Sequence, residues 1–129
     1  MALHGSHKEK ISKEMYLKTI FLFKQDNDKN PKPVDLVREL ELSKSSVSEM
    51  LRKLQEDGLV KYESYGAIEL TKKGLVYAKR VLSRYLVLKK FLVNYLNIPV
   101  KRANEEACDL EHGFSDDSIS KLKKYMGKK

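Results

Sequence analysis

Three residues near the end of the chain carry side chains that bind transition metals, at a spacing that brings them together. In the run Glu105-Glu106-Ala107-Cys108-Asp109-Leu110-Glu111-His112, a helix turning ~100° per residue puts positions 108, 111 and 112 on one face. A thiolate, a carboxylate and an imidazole together suit a borderline divalent ion such as Fe, Co, Ni or Zn. The plainer reading is a small apolar core cysteine with Glu111 and His112 in solvent, and spacing does not separate the two. Two catalytic readings are weaker. Cys108-x-x-Glu111-His112 is an H-x-x-E-H zinc-protease motif with its first His replaced, and only 17 residues follow to supply another ligand. A Cys108–His112 nucleophile pair has no Gly-rich or oxyanion turn beside it. The expectation is a protein that is not an enzyme and has no small-molecule substrate.

Composition narrows the setting. With 129 residues, 41% hydrophobic and 34% charged, the chain can build one compact domain or two small lobes. No apolar stretch could span a bilayer, so no membrane partner is expected. The first seven residues, Met1 to His7, lack the apolar region of a signal peptide. Residues 1–9 read as a disordered or tag-derived leader, and His4 and His7 are left out of any site. A single cysteine, Cys108, excludes an internal disulfide framework and fits a reducing, cytoplasmic compartment.

The net charge of +8 is concentrated late. Between Leu70 and Asn104 there is no Asp or Glu, while Lys72, Lys73, Lys79, Arg80, Arg84, Lys89, Lys90, Lys101 and Arg102 are basic. Such a field attracts polyanions, nucleic acid foremost, although an acidic protein or membrane surface would respond to it too.

The elements that would position these groups follow from periodicity. A first helix starts near Ser12, buries Tyr16, Ile20 and Phe23, and runs to about Gln25. A polar Pro-containing loop leads to a short helix after Pro33 that buries Leu36, Val37 and Leu40. Ser43 caps a third helix, Lys44 to about Asp57, with Val47, Met50, Leu51 and Leu54 inward and Gly58 as its stop. The period then changes to two. Residues 59–63 and 67–70 read as strands of a hairpin across Ser64-Tyr65-Gly66. Thr71 caps a long helix that breaks before Pro99, a further helix covers about Val100 to His112, and Ser115-Asp116-Asp117 starts the last. The fold class is mostly α with a small β-hairpin wing. A winged helix-turn-helix domain over residues 10–74 precedes an all-helical domain over 75–129, to which a family resemblance assigns metal binding and dimerisation.

In a winged helix-turn-helix the second helix of the pair enters the major groove of double-stranded DNA. Its exposed start offers Ser43, Lys44, Ser45, Ser46, Ser48 and Glu49, with Arg52 and Lys53 further along. Hydroxyls reach bases or phosphates, Glu accepts from cytosine, and Arg or Lys reaches guanine or the backbone. Lys61, Tyr65 and Lys72 in and beside the wing are expected on the DNA backbone. Capping and solvation alone would also account for the serines.

Glu14-Met15-Tyr16-Leu17-Lys18-Thr19-Ile20, the helix pair, Gly58-Leu59-Val60, Leu70-Thr71-x-x-Gly74 and Glu106-Ala107-Cys108-x-Leu110-Glu111-His112-x-x-Ser115-Asp116 together resemble the diphtheria toxin repressor (DtxR-like) family over about residues 12–127. The resemblance implies a metal-dependent transcriptional repressor that binds operator DNA as a homodimer and controls iron or manganese homeostasis genes. It implies a primary metal site of Met15, Cys108, Glu111 and His112. Met15 with Cys108 is similar to the iron-type branch, so Fe²⁺ is the expected metal, with Mn²⁺, Co²⁺, Ni²⁺ and Zn²⁺ as alternatives. The manganese-type branch has Asp and Glu at these two positions, and a Glu where this chain has Lys18. The family's ancillary site uses His, Glu and His where this chain has Tyr85, Lys89 and Asn104, so that site is expected to be lost. The SH3-like third domain of longer members has no counterpart before Lys129. The expected dimer face is apolar: Leu86, Leu88, Phe91, Leu92, Tyr95, Leu96 and Phe114. The alternative is a winged-helix regulator that binds DNA without metal.

Overall fold

The computed structural model describes residues 5–63 and 66–127, apart from the side chains of residues 5–9 and 11. Among these, six helices and one hairpin follow in order: α1 (Gly5–Asn27), α2 (Pro33–Leu40), α3 (Lys44–Glu56), β1 (Val60–Lys61), β2 (Glu69–Leu70), α4 (Lys72–Asn94), α5 (Val100–Leu110) and α6 (Asp116–Gly127). No described helix is long and apolar enough to cross a membrane. The chain packs as two units, one ending at Lys79 and one starting at Arg80.

The helix pair forms where local chemistry directs it. Pro33 opens α2, and the Asp35 side chain accepts from the Lys32 backbone N–H at 2.8 Å. That bond first, and Arg38 after it, hold the Asp35 carboxyl below its ordinary range against a smaller opposing effect of burial. Glu41 turns the chain in the left-handed region (φ 54°), and the Ser43 hydroxyl caps α3 by accepting from Ser46 N–H at 3.1 Å. Gly58, at φ 74°, ends α3, and Leu59 N–H closes on the Leu54 carbonyl at 2.9 Å. Tyr16, Leu17, Ile20, Leu36, Val47, Leu51, Leu54, Leu59, Val60, Ile68 and Ala78 form one core.

Three boundaries differ from expectation. α1 begins at Gly5, not Ser12. Its first turns carry no apolar stripe for periodicity to detect, and the backbone of residues 5–9 is helical, while residues 1–4 lie outside the described residues. The strands are two residues each, pairing Val60 with Leu70 and Lys61 with Glu69. Their flanking amides turn elsewhere: Tyr62 N–H donates to Gln55 Oε1 at 2.9 Å, and Ile68 N–H to the Pro31 carbonyl at 2.7 Å. Finally, α5 ends at Leu110, leaving Glu111 as its C-cap.

The second unit has a smaller core of Leu88, Leu92, Ala103, Ala107 and Ile119. This corrects the expected dimer face. Leu88 and Leu92 are buried inside their own unit, while Leu86 and Leu96 are each 52% exposed. Phe91 stacks on Tyr95, and the Tyr95 hydroxyl donates to the Met126 carbonyl at 2.7 Å.

The junction of α3, β1 and α4 is tight. Thr71 Oγ1 donates to the Gly58 carbonyl at 2.6 Å and accepts from Gly74 N–H at 3.0 Å. A Cβ on Gly74 would stand 2.0 Å from the Leu59 carbonyl oxygen. Gly74→Ala must therefore displace α4 or β1 and should destabilise the chain by about 1–3 kcal/mol, read by urea unfolding.

Candidate nucleic-acid interface and metal centre

The first turn of α3 is a solvent-facing patch. Ser43, Lys44, Ser45, Ser46, Ser48, Glu49 and Arg52 are exposed and Lys53 is half-buried. The Ser43 hydroxyl is occupied by the cap and by contacts to Ser45 Oγ (3.2 Å) and Ser46 Oγ (2.9 Å), so it shapes the turn before it can meet any base. Arg52 pairs with Glu56 at 2.8 Å, and Lys53 lies 3.6 Å from Glu49. An exposed i,i+4 pair such as Arg52–Glu56 is worth little, so Arg52 can exchange its carboxylate for a phosphate. Lys61 and Lys72 are exposed beside the hairpin. Tyr65 lies outside the described residues.

The basic run of the sequence is not all surface. Arg84 is 6% exposed, donates to the Phe114 carbonyl at 3.2 Å and approaches Asp116 at 4.0 Å. Arg80 also faces Asp116, at 3.6 Å. Arg84 thus fastens the turn that follows His112, a role that charge counting could not reveal.

That turn belongs to the candidate metal centre. Glu111 N–H still donates to the Ala107 carbonyl at 2.9 Å, so residues 108 and 111 remain on successive helical turns. Glu111 and His112 are 0% and 4% exposed, and His112 Nε2 lies 3.9 Å from Glu111 Oε2. Both atoms are shut off from water. Glu111 and His112 are therefore core residues, contrary to the reading that left them in solvent. A carboxylate and an imidazole buried side by side are costly to bury and chemically suited to a shared divalent cation. Cys108, which forms no disulfide, is half-buried one turn back. Among the described residues, no three His, Cys, Asp or Glu side chains stand ready-clustered around one point.

Met15 belongs to the other unit, half-buried on α1. Its neighbours include charges the sequence reading passed over. Glu14 is 1% exposed and accepts from the Tyr77 hydroxyl at 2.9 Å, and Lys18 is 7% exposed. Their i,i+4 spacing was the available signal. Burial also raises the pKa of Tyr16. Two of the three ancillary positions bond to each other: the Tyr85 hydroxyl donates to Asn104 Oδ1 at 3.1 Å.

The fold is that of a winged-helix DNA-binding domain followed by a helical dimerisation domain. Residues 10–68 match the family model for the iron-dependent repressor N-terminal DNA-binding domain, and residues 71–129 that for the metal-binding and dimerisation domain. The chain belongs to the iron-dependent repressor family, which includes the diphtheria toxin repressor. An HTH-type transcriptional regulator of Methanocaldococcus jannaschii is 42% identical over 115 residues, 89% of this chain and 92% of that one. The iron-dependent repressor IdeR of Mycobacterium leprae is 30% identical over 113 residues, 88% of this chain and 49% of that one. Among solved structures, a manganese-dependent transcriptional repressor in complex with manganese superposes with a TM-score of 0.81 at 34% identity, over 89% of this chain and 52% of that one. The chain thus spans about half the length of these last two proteins.

Removing the cap tests the local account of the interface. Ser43→Ala should cost ~1 kcal/mol of stability, with most of the loss recovered in Ser43→Asp, another good N-cap, as measured by thermal unfolding.

Proposed function

We propose that this chain is a metal-activated transcriptional repressor of the cytoplasm. On this reading it binds operator DNA as a homodimer when a divalent transition metal of the Fe²⁺ type is held by Met15, Cys108, Glu111 and His112, and it controls metal-homeostasis genes. The observation that carries the reading is the buried Glu111–His112 pair, in the half of the chain that matches a metal-binding domain. A thioether and a thiolate are softer than carboxylates, which supports Fe²⁺, Co²⁺, Ni²⁺ or Zn²⁺ over Mn²⁺. Tyr85 and Asn104 satisfy each other where the family would hold a second ion, which supports one metal per chain.

The proposed ligands draw on both units. When bound, the ion supplies positive charge beside the Glu111 carboxylate and favours whichever arrangement of the chain lets all four donors reach it. If that arrangement is the DNA-competent one, metal and operator tighten each other's binding by the same factor. In the dimer, two α3 helices would read half-sites about one DNA turn apart. Lys44, Ser45, Ser46, Ser48, Glu49, Arg52 and Lys53 would face the major groove, with Lys61, Tyr65 and Lys72 on the backbone. Leu86 and Leu96 are what remains exposed of the expected dimer face.

One observation favours the alternative of a metal-independent regulator: at two of the three positions where the family would hold an ancillary ion, Tyr85 and Asn104 hydrogen-bond to each other. The two readings separate in one experiment. Metal-stripped protein is used to bind a duplex selected from a random-sequence pool, at fixed salt, before and after anaerobic addition of Fe²⁺, Co²⁺, Zn²⁺ or Mn²⁺. Affinity should rise by roughly 5- to 150-fold with the cognate metal, and Met15→Ala and His112→Ala should each abolish the rise. Tight binding that ignores both metal and chelator would establish the alternative.

A further inference from the structure

Asp57 carries the wrong charge for its place. It is the C-cap of α3, where the partial negative charge of the helix end disfavours a carboxylate, and Glu56 precedes it. Two lysines from other elements converge on it. Lys13 of α1 places Nζ 2.6 Å from Asp57 Oδ2, and Lys73 of α4 donates to the Asp57 carbonyl at 3.0 Å. One position along α1, the Tyr77–Glu14 hydrogen bond joins α1 to α4. The C-terminal end of the helix read above as the DNA reader is therefore fastened to α1, two residues from Met15.

We infer that the Lys13–Asp57 ion pair is the link through which metal capture at Met15 sets the recognition helix, which makes Lys13 and Asp57 positioning residues for DNA reading. This rests on the reading that Met15 is a ligand and that α3 reads DNA. Lys13 and Met15 lie within one turn of a continuous helix, so a displacement of α1 at Met15 moves the Lys13 backbone with it. The pair then passes that displacement to the α3 cap. Its side chains are 21% and 44% exposed, so the pair adds little to overall stability, and its loss can be separated from unfolding.

The test uses the full chain, Co²⁺ as the metal, and a duplex selected from a random pool by Co²⁺-loaded wild type. Three quantities are read for each variant: the ratio of DNA affinities with Co²⁺ and with chelator, the Co²⁺ affinity without DNA, and the thermal midpoint. Lys13→Met should lower the ratio by roughly two- to thirtyfold, with Co²⁺ affinity and midpoint close to wild type. Asp57→Asn should do the same, and Lys13→Arg should restore the ratio. An unchanged ratio in both loss variants would overturn the inference. A parallel fall in Co²⁺ affinity, or no rescue by arginine, would overturn it as well, because Lys13 would then serve the metal site or the fold. If wild type itself shows no Co²⁺ dependence, the proposed function fails first and the inference falls with it.

Discussion

The hydroxyl of Thr71 bridges the end of one helix and the start of another, and much of the molecule depends on that bridge. It donates to the Gly58 carbonyl where α3 has stopped, and it accepts from Gly74 N–H where α4 is starting. The Thr71 amide reaches the Leu59 carbonyl at 3.0 Å, and Gly74 lets the α4 backbone approach that same carbonyl. Three polar contacts thus close the hairpin, terminate α3 and aim α4. Because α4 runs unbroken from Lys72 to Asn94, the boundary between the two units, after Lys79, falls inside that helix.

The two units use charge differently. In the first, carboxylates tie α1 to its neighbours: Glu14 accepts from the Tyr77 hydroxyl, and Asp57 accepts from Lys13. In the second, Arg84 is turned inward to hold the Phe114 carbonyl, and Glu111 and His112 are enclosed beside it in sequence. A core of five small or aliphatic residues is modest cover for that much buried polarity.

Helices α2 and α3 were legible in the sequence because their boundaries are written locally, in Pro33, Ser43 and Gly58. The start of α1 was not. Ser12 has the chemistry of a cap but sits inside the helix, and the polar turns before it give periodicity nothing to detect. The strands read too long because alternation reports burial and not pairing, and the amides of Tyr62 and Ile68 go to Gln55 and Pro31 instead. At the candidate site, residue types and spacing pointed to Cys108, Glu111 and His112. Burial of the last two could not be read from spacing. Nor could the inward turn of Arg84, since a charge count is blind to where a long side chain folds. Asp57 did leave a trace, as an acid at a helix end that prefers a base.

The central claim, a single metal site with thiolate character, is tested most directly by titrating Co²⁺ anaerobically into the metal-stripped full chain while recording its absorption spectrum. The account predicts a thiolate-to-metal charge-transfer band in the near ultraviolet that saturates at about one equivalent per chain and disappears in Cys108→Ser. A spectrum without that band, or saturation at two equivalents, would contradict it.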